Sequence, residues 1–373
     1  MKFTIITHAL HKSKNQRFYA YEPYVREMNL WLQSVSETRI VAPISQEEIS
    51  AIEVTYNTQN ITVERIPAFN VLSLKTKISS IFKIPFILIQ IIKTCLWADH
   101  IHLRCPGNVG LLGCFVLILF PSKPKTVKYA GNWDPESKNQ PFSYRVQKWI
   151  VSNTFLTKNC KVLVYGEWKN QSKNIIPFFT ASYSKKEITE ISPRNLDGKI
   201  NFIFVGGLTE GKQPMLSVKV IEELSKTKKN IHLDIFGDGA ERKYLEGYIK
   251  EKNLATYVTL HGNVKKDVVK GAFKKAHFLL FISKSEGWPK VVAEAMFWGV
   301  LPITSKVSCV PYMIGDGTRG ALVVSNVDSI LLVINAYLKK EKKYETQSKE
   351  AMKWSQEFTL EKFEFEIGKL LND

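Results

Sequence analysis

The hydrophobic pattern along the chain alternates between two kinds of segment. Short apolar runs, such as KFTIIT at the start of the chain and HFLLFIS at 277–283, have the length and composition of buried strands. Between such runs lie longer segments with apolar residues at helical spacing. In 21–35, for example, Tyr24, Met28 and Trp31 share one face. This alternation predicts an α/β protein built on parallel, doubly wound sheets.

The alternation occurs twice, separated by a polar stretch that contains Pro and Gly and has no periodicity. We therefore predict a Rossmann-like domain at 1–185, a linker at 186–199 and a second Rossmann-like domain at 200–355. The last helical segment, 356–373, is expected to pack back toward the first domain. Two such domains would face each other across a cleft at the carboxyl ends of both sheets.

Composition narrows the class of protein. The five cysteines form no CxxC pair and the seven histidines form no HxxxH, so neither a metal site nor a disulfide framework is expected. Met1 leads directly into a strand-like segment, so no signal peptide is expected. The longest apolar stretches, 81–97 and 109–120, are too short or too interrupted to span a bilayer. The sequence thus predicts a cytoplasmic protein.

The net charge of +17 is concentrated in the first half of the chain. Residues 1–198 hold 25 Lys and Arg against 14 Asp and Glu. Such a field favours nucleic acid, an anionic membrane surface or a phosphorylated substrate, and no nucleic-acid motif is visible. The helical segment 75–97 combines lysines with apolar residues and would suit docking on anionic lipid, as a peripheral protein on the inner face of the membrane. Burial of this helix in the first domain, with solvated lysines elsewhere, explains the pattern equally well.

The stretch SEGWPKVVAEAMFWG at 285–299 places seven residues between Glu286 and Glu294. Pro289 suits the first turn of a helix, and the free backbone N–H groups near residues 289–292 would favour an anionic ligand. Two carboxylates on either side of this helix start could accept hydrogen bonds from hydroxyls that flank a phosphate. An ordinary helix start with one solvated and one capping glutamate also fits.

Three glycine turns follow strands of the second domain: VGGLTEGK (205–212), FGDGAE (236–241) and HGNV (261–264). None is a GxGxxG dinucleotide fingerprint, and none is a P-loop, because Gln213 replaces the required Ser or Thr. Lys212 is interpreted as a point charge for a diphosphate, with an exposed loop lysine as the alternative.

Four motifs occur along the second domain in the order FVGGLTEGKQP, FGDGAE, HGNV and SEGWPKVVAEAMFWGVLPITS. Together they resemble the nucleotide-sugar-binding domain of GT-B glycosyltransferases of family 4, whose signature is E-x7-E. The resemblance covers the second domain thoroughly and the first more loosely. It implies a retaining, metal-independent hexosyltransferase in surface polysaccharide or lipid-linked glycan assembly. The donor would be a nucleotide sugar of UDP or GDP type, used as a substrate without a further cofactor.

The resemblance also implies roles for single residues. Glu286 would be the catalytic carboxylate facing the donor sugar, Glu294 would bind the ribose hydroxyls, and Lys212 would neutralise the departing diphosphate. The other donor-binding residues that it implies are Gly207, Val264 beside the base, and Lys290, Val291 and Val292 through their amides.

The sequence departs from the family pattern at two places. Family members commonly carry Gly-Arg where this chain has Gly206–Gly207, which removes one cation from the diphosphate site. Many carry H-x-H-x-P where this chain reads His102 to Pro106, with Arg104 in place of the second histidine. We predict Arg104 as a catalytic residue that stabilises a sugar hydroxyl, an acceptor phosphate or the leaving diphosphate. A structural salt bridge is the alternative role.

The acceptor side is expected on three loops that follow strands of the first domain, at 8–23, 130–135 and 165–168. Aromatic rings there suit stacking on a sugar, and amide or carboxylate groups suit its hydroxyls. The acceptor-binding residues that we predict are Tyr19, Asn132, Trp133 and Glu167.

Two other functions fit parts of the sequence. A membrane-surface binding protein that has lost catalysis would explain Gly207 and Arg104. A nucleotide-sugar epimerase of the same GT-B architecture would use the donor without an acceptor, although the order of the motifs disfavours it.

Overall fold

A computed structural model of the protein describes residues 1–50, 52–68, 74–137, 140–189, 191 and 194–372, with no side-chain description from 74 to 81. The chain forms two compact units. The first contains Met1–Phe179 together with the chain from Phe363, and the second contains Thr180–Lys362.

The first unit is built on one large sheet. Its strands are β1 (Lys2–Ile6), β2 (His11–Lys14), β3 (Arg17–Tyr21), β4 (Glu37–Ser45), β5 (Glu53–Thr55), β6 (Ile61–Ile66), β7 (His100–Cys105), β8 (Lys125–Tyr129), β9 (Cys160–Tyr165) and β10 (Ile175–Phe178). Its helices are α1 (Glu22–Leu32), α2 (Leu74–Trp97), α3 (Asn108–Leu117) and α4 (Phe142–Ser152). The strand order is β10-β9-β8-β7-β1-β4-β2-β3-β5, with β6 also paired to β4.

The second unit is built on a six-stranded sheet in which all pairs are parallel. Its strands are β11 (Ile200–Val205), β12 (Ile231–Phe236), β13 (Val258–Gly262), β14 (Phe278–Phe281), β15 (Leu301–Ser305) and β16 (Ala321–Val323). Its helices are α5 (Pro214–Ser225), α6 (Arg242–Glu251), α7 (Lys266–Phe273), α8 (Lys290–Phe297), α9 (Val310–Met313), α10 (Val327–Lys339) and α11 (Glu341–Gln356). The last helix, α12 (Leu360–Asn372), belongs to the first unit from Phe363 onward.

Both sheets reverse their strand order at one point. The second sheet runs β13-β12-β11-β14-β15-β16, so the order changes direction between β11 and β14. In the first sheet the corresponding change lies between β1 and β7, which are paired neighbours. Ligands of doubly wound sheets bind at such switch points, at the carboxyl ends of the strands. The predicted α/β class with two Rossmann-like units is confirmed, and the two switch points locate the segments in which a site is expected.

The prediction of a long loop at 8–23 is wrong, because most of this segment forms a β-hairpin. β2 and β3 pair antiparallel across Asn15 and Gln16, which both have positive φ angles of 52° and 60°. Two consecutive residues with positive φ form the tight turn whose twist suits a hairpin. β3 then pairs with β5, a three-residue strand. The hairpin has no clear signal in the sequence because its turn carries no glycine.

The predicted linker at 186–199 lies within the second unit. Glu187 forms an ion pair with Lys270 at 2.5 Å. The guanidinium of Arg194 donates hydrogen bonds to the carbonyls of Trp298 and Gly299, at 2.8 and 3.0 Å. These side-chain contacts fix an aperiodic segment in place, which is why the hydrophobic pattern did not reveal them.

The end of the chain, from Phe363, belongs to the first unit. α11 stops at Gln356 and α12 begins at Leu360. Phe363 in α12 packs against Phe178 and Phe179, with ring centroids 5.3 and 5.6 Å apart. Among the described residues, no helix has the length and apolar character needed to cross a membrane.

Candidate active site

The switch point of the second unit brings together two loops that the sequence analysis singled out. The loop after β11 contains Gly207 and Lys212, and the loop after β14 contains Glu286. Because β11 and β14 are paired neighbours, both loops leave the same edge of the sheet. Lys284 N donates to the Gly211 carbonyl at 2.8 Å, which ties one loop to the other. The spatial adjacency of these motifs follows directly from the strand order.

The loop after β11 is also held on its other side, against the turn that follows β12. Gly206 N donates to the Phe236 carbonyl at 2.9 Å, and Leu208 N donates to the Asp238 carbonyl at 3.0 Å. Gly237 has a φ of +129°, and a Cβ at this position would lie 2.0 Å from the Gly206 carbonyl oxygen. Glycine is therefore required at 237 for the two turns to approach so closely.

Lys212 and Glu286 form an ion pair at this switch point. The Glu286 side chain is 9% exposed and that of Lys212 is 29% exposed, so the pair is shielded but reachable from solvent. The Lys212 ammonium also lies 4.9 Å from the centre of the Phe281 ring. Lys212, predicted to bind the diphosphate, thus contacts Glu286, the predicted catalytic carboxylate. The spacing of the two residues in the sequence did not indicate this contact.

A second lysine–glutamate pair spans the same two loops. Lys284 and Glu210 approach to 2.6 Å, but their side chains are 53% and 84% exposed. An exposed ion pair contributes little to stability. This pair is therefore a natural reference for the shielded pair of Lys212 and Glu286.

Glu294 has different partners from Glu286. It lies in α8 and accepts a hydrogen bond from the Ser182 hydroxyl at 2.5 Å. The backbone carbonyl of Ser182 in turn accepts a hydrogen bond from Lys266. Burial, together with the charge of Glu294, raises the pKa of the neighbouring Tyr183. The two glutamates of the signature therefore have separate environments, which suits separate roles.

The N-terminus of α8 lies between the two glutamates in sequence. Pro289 precedes the helix in an extended conformation, and no side chain among the described residues caps the first turn. Amides at the start of a helix carry partial positive charge and favour anions. The preceding loop is held by Ser308 and Cys309, which both donate to the Gly287 carbonyl, at 3.2 and 3.0 Å. Lys290, Val291 and Val292 form the first turn, as expected.

Gly207 does not need to be glycine. It is exposed, and a Cβ at this position would meet only ordinary contacts, at 3.9 Å from Thr209 and 4.0 Å from the Asp238 carbonyl oxygen. The backbone therefore does not require glycine at 207. Compared with the arginine that is common in the family, glycine at this position removes a positive charge. Val264, predicted beside the base, follows β13 and is 36% exposed.

The switch point of the first unit contains Arg104 and His8. Arg104 lies near the end of β7 and forms an ion pair with Glu27 at 2.5 Å, with side chains 12% and 6% exposed. Its guanidinium also lies 5.3 Å from the Tyr24 ring centre. Burial lowers the pKa of Arg104, but Glu27, Tyr165 and Tyr24 together outweigh this effect and raise it, so the residue is a permanent cation. These contacts fit the alternative role of Arg104 as a structural salt-bridge residue.

We expect Arg104→Met to lower the free energy of unfolding by about 3–5 kcal/mol, because Glu27 would keep its charge without a partner in buried surroundings. The double variant Glu27→Leu, Arg104→Met should recover most of this loss, as chemical denaturation can measure. Activity of the stable double variant then separates the two roles. Recovered kcat/KM would assign Arg104 to structure alone, whereas persistent loss would support contact with substrate.

The predicted acceptor residues differ in how accessible they are. Tyr19 lies half-buried in β3, and Glu167 is exposed after β9. Asn132 accepts a hydrogen bond from Asp134 N at 2.9 Å, which shapes its own turn. Trp133 is 3% exposed and packs edge-on against Tyr129, with its indole N–H donating to Gln171 at 3.0 Å. The open ring face expected at Trp133 is therefore absent, because the indole belongs to the core of the first unit.

Two further residues, His8 and Lys148, lie near the carboxyl edge of the first sheet and were not predicted from the sequence. His8 is exposed directly after β1, and a Cβ at Gly107 would lie 3.0 Å from its Nδ1. Partial desolvation and the charge of Arg104 lower the pKa of His8. Lys148 lies over the Trp133 ring at 5.4 Å, and desolvation, opposed by Asp134, lowers its pKa to about 8. The position of His8 after the first strand was the available signal.

The described residues contain no grouping of three or more His, Cys, Asp or Glu side chains suited to a metal ion.

Comparison with known proteins places the second unit in context. Residues 184–354 match the family model described as glycosyl transferases group 1. Over 104 residues the chain is 36% identical to the GalNAc-alpha-(1->4)-GalNAc-alpha-(1->3)-diNAcBac-PP-undecaprenol alpha-1,4-N-acetyl-D-galactosaminyltransferase of Campylobacter jejuni, covering 28% of each chain. Over 160 residues it is 28% identical to the lipopolysaccharide 1,6-galactosyltransferase of Salmonella typhimurium, covering 42% of this chain and 44% of that one. These matches span less than half the length of either relative.

A solved structure is similar over the whole chain. HepE of Anabaena, crystallised with UDP, superposes with a TM-score of 0.70 and 13% sequence identity over 100% of both chains. At this identity the likeness establishes the fold. The second unit thus has sequence similarity to group 1 glycosyl transferases, and the chain as a whole shares its fold with a UDP-binding protein.

Proposed function

We propose that this protein is a retaining glycosyltransferase of family 4, which moves a sugar from a nucleotide-sugar donor to a glycan or lipid-linked acceptor. The single observation that carries the proposal is the shielded ion pair of Lys212 and Glu286 at the switch point of the second sheet. It combines a cation for a diphosphate with a carboxylate for sugar hydroxyls at the edge where doubly wound sheets bind nucleotides. The match of residues 184–354 to group 1 glycosyl transferases supports it.

The proposed reaction breaks the bond between the anomeric carbon and the diphosphate oxygen. Lys212 and the amides of the first turn of α8 would stabilise the negative charge that develops on the leaving diphosphate. Glu286 would accept hydrogen bonds from donor hydroxyls and stabilise positive charge on the sugar ring. The acceptor oxygen then bonds to the anomeric carbon on the same face, and its proton passes to the departing phosphate oxygen. Glu294 would hold the ribose hydroxyls.

The chemistry of the site and the names of the relatives support the proposed donor and acceptor classes. HepE was crystallised with UDP, which supports a nucleotide-sugar donor of UDP or GDP type. The Campylobacter relative is named for an acceptor on PP-undecaprenol, and the Salmonella relative for lipopolysaccharide. We therefore propose surface polysaccharide or lipid-linked glycan synthesis on the cytoplasmic side of the membrane as the setting. Tyr19, Asn132 and Glu167 remain proposed acceptor contacts.

Glu294→Ala should weaken donor binding by about 10- to 100-fold, the scale of a hydrogen bond to a charged group. Turnover at saturating donor should change only a few-fold, because Glu294 would contact the nucleotide and not the reacting sugar. Titration calorimetry with the nucleoside diphosphate measures this loss. Ser182→Ala, which removes the hydroxyl that donates to Glu294, is the matched control and should have a much smaller effect.

Transfer should persist in excess EDTA, because Lys212 and the α8 amides are proposed to perform the leaving-group chemistry. The measurement compares initial rates before and after chelation, with Mg²⁺ or Mn²⁺ added back. Complete loss of activity that either ion restores would contradict the proposed site.

The overall test is incubation of the full chain with a panel of nucleotide sugars and a lipid-linked glycan fraction. We expect release of one nucleoside diphosphate together with a sugar-extended acceptor. Release of a changed nucleotide sugar without an acceptor product would favour the epimerase. Binding to membranes with neither donor binding nor turnover would favour the non-catalytic protein.

A further inference from the structure

Three helices of the first unit share one face of its sheet. α2, α3 and α4 connect β6 to β7, β7 to β8 and β8 to β9, and these crossovers all run in the same direction along the sheet. Right-handed crossovers in one direction place their helices on the same side. In agreement, α3 packs against both α2 and α4. The solvent side of this layer is therefore one surface, here called the outer helical face.

Large apolar side chains cover the outer helical face where polar residues are expected. In α2 the exposed positions repeat at helical spacing and include Phe82 (79% exposed), Phe86, Ile89 and Leu96 (65% exposed). The opposite side of the same helix packs into the core through Ile87 and Ile91. A helix that is apolar on both sides is typical of a buried or membrane-contacting helix, not of a solvated surface.

The other two helices continue this surface. α3 exposes Phe115, and the turn after it exposes Leu119. α4 exposes Phe142 and Trp149 at helical spacing, and Phe155 follows in the next turn at 79% exposure. Single exposed apolar residues are ordinary, but a layer of three helices that all expose them marks an interaction surface.

The charge of the outer helical face has one sign. The segments 74–98, 108–124 and 142–161 contain no Asp or Glu but several Lys and Arg. The exposed Lys93 lies between Ile89 and Leu96 in the sequence of α2. Arg145 lies 5.7 Å from the Phe142 ring centre, and Lys158 lies 5.6 Å from that of Phe155. Cations beside exposed aromatic rings suit the headgroup region of an anionic bilayer.

We propose that the outer helical face docks on an anionic lipid bilayer, with its aromatic and aliphatic side chains in the headgroup boundary and its cations at the lipid phosphates. A second copy of the chain is disfavoured as the occupant because it would bring two basic faces together. Nucleic acid is disfavoured because Ile89, Leu96 and Leu119 offer nothing to phosphates. The sequence predicts lipid docking by the helical segment 75–97 alone, whereas the proposed surface includes three helices. The side chains of Lys75 and Lys77, two of the lysines in that segment, are not among those that the structure describes.

The test is co-sedimentation of the full chain with vesicles of phosphatidylcholine alone, or with phosphatidylglycerol added, at low and high salt. We expect binding to the anionic vesicles that falls at high salt, and weak binding to the neutral ones. Phe115→Ser with Leu119→Ser, and separately Phe142→Ser with Trp149→Ser, should each lower the partition coefficient at least about tenfold. Arg145→Gln with Lys158→Gln should remove much of the salt dependence.

The matched control is Leu332→Ser in the second unit, where a leucine that is 74% exposed lies outside the proposed face. It should bind vesicles as the unchanged chain does, and all variants should keep their thermal unfolding temperature. Equal binding by every variant, or no binding to anionic vesicles, would overturn the proposal. So would a lipid-free dimer that the Phe115 and Leu119 changes dissociate, or preferential binding to single-stranded nucleic acid. Vesicle binding requires no sugar transfer, so its failure leaves the proposed function separately testable.

Discussion

Glu286→Gln is expected to lower kcat by about 10²- to 10³-fold, which corresponds to about 3–4 kcal/mol of transition-state stabilisation. The side chain keeps its size and can still accept hydrogen bonds, but it no longer carries the negative charge that would oppose positive charge on the donor sugar. Affinity for the nucleoside diphosphate should change little, because the proposed partner of Glu286 is the sugar. Initial rates at saturating donor and calorimetric titration of the diphosphate measure the two effects.

The matched control for this substitution is Glu210→Gln. Glu210 also pairs with a lysine across the same two loops, but it is highly exposed. Its replacement should leave kcat within about two-fold, since an exposed ion pair contributes at most about 1 kcal/mol. Equal losses of turnover in both variants would contradict a catalytic role for Glu286. Loss of diphosphate binding with turnover intact at saturation would instead move Glu286 to the nucleotide.

Lys212→Gln is expected to weaken binding of the nucleoside diphosphate and to lower kcat/KM, by about 2–5 kcal/mol in total. This is the scale for removing one partner of a shielded charge pair. The variant would remove the cation for the leaving group and would also leave Glu286 without its ion-pair partner. Lys212→Arg should recover part of the diphosphate affinity, because it restores the charge with a different geometry.

The control for Lys212 is Lys284→Gln, which removes the lysine of the exposed pair on the neighbouring loop. We expect its diphosphate affinity to stay close to that of the unchanged chain. Gly207→Arg tests whether an added cation strengthens diphosphate binding. The substitution is feasible because position 207 is exposed and accepts a Cβ without a close contact. Tighter diphosphate binding in Gly207→Arg would support a charge deficit at this site. Equal weakening by Lys212→Gln and Lys284→Gln would show that the two loops act only through general electrostatics.

Much of the second unit was predictable because its signals are local. Apolar runs of strand length alternate with helical periods, and glycine turns mark the carboxyl ends of the strands. Parallel strand order then brings the loops of Lys212 and Glu286 to one edge. The ion pair itself was not predictable, since it depends on how two loops separated by about 70 residues are tied together by backbone contacts such as that of Lys284 with Gly211.

The first unit was less predictable for identifiable physical reasons. The hairpin at β2 and β3 uses Asn15 and Gln16 in its turn, so the usual glycine signal is missing. Trp133 follows a strand and has the composition of a sugar platform, but the fold places it in the core against Tyr129. The position of Trp133 in the sequence could not distinguish a sugar platform from a core residue, because the burial of its ring depends on how α4 packs over the sheet.

The proposed nucleotide site is tested most directly by calorimetric titration of the full chain with UDP, GDP and ADP in excess EDTA. The titration is repeated with Lys212→Gln and Lys284→Gln. We expect either UDP or GDP to bind at a single site without metal. Lys212→Gln should weaken this binding at least tenfold, and Lys284→Gln should leave it unchanged. Absence of binding by every diphosphate, or binding that is indifferent to Lys212, would contradict the proposal that the switch point of the second sheet holds a nucleotide sugar.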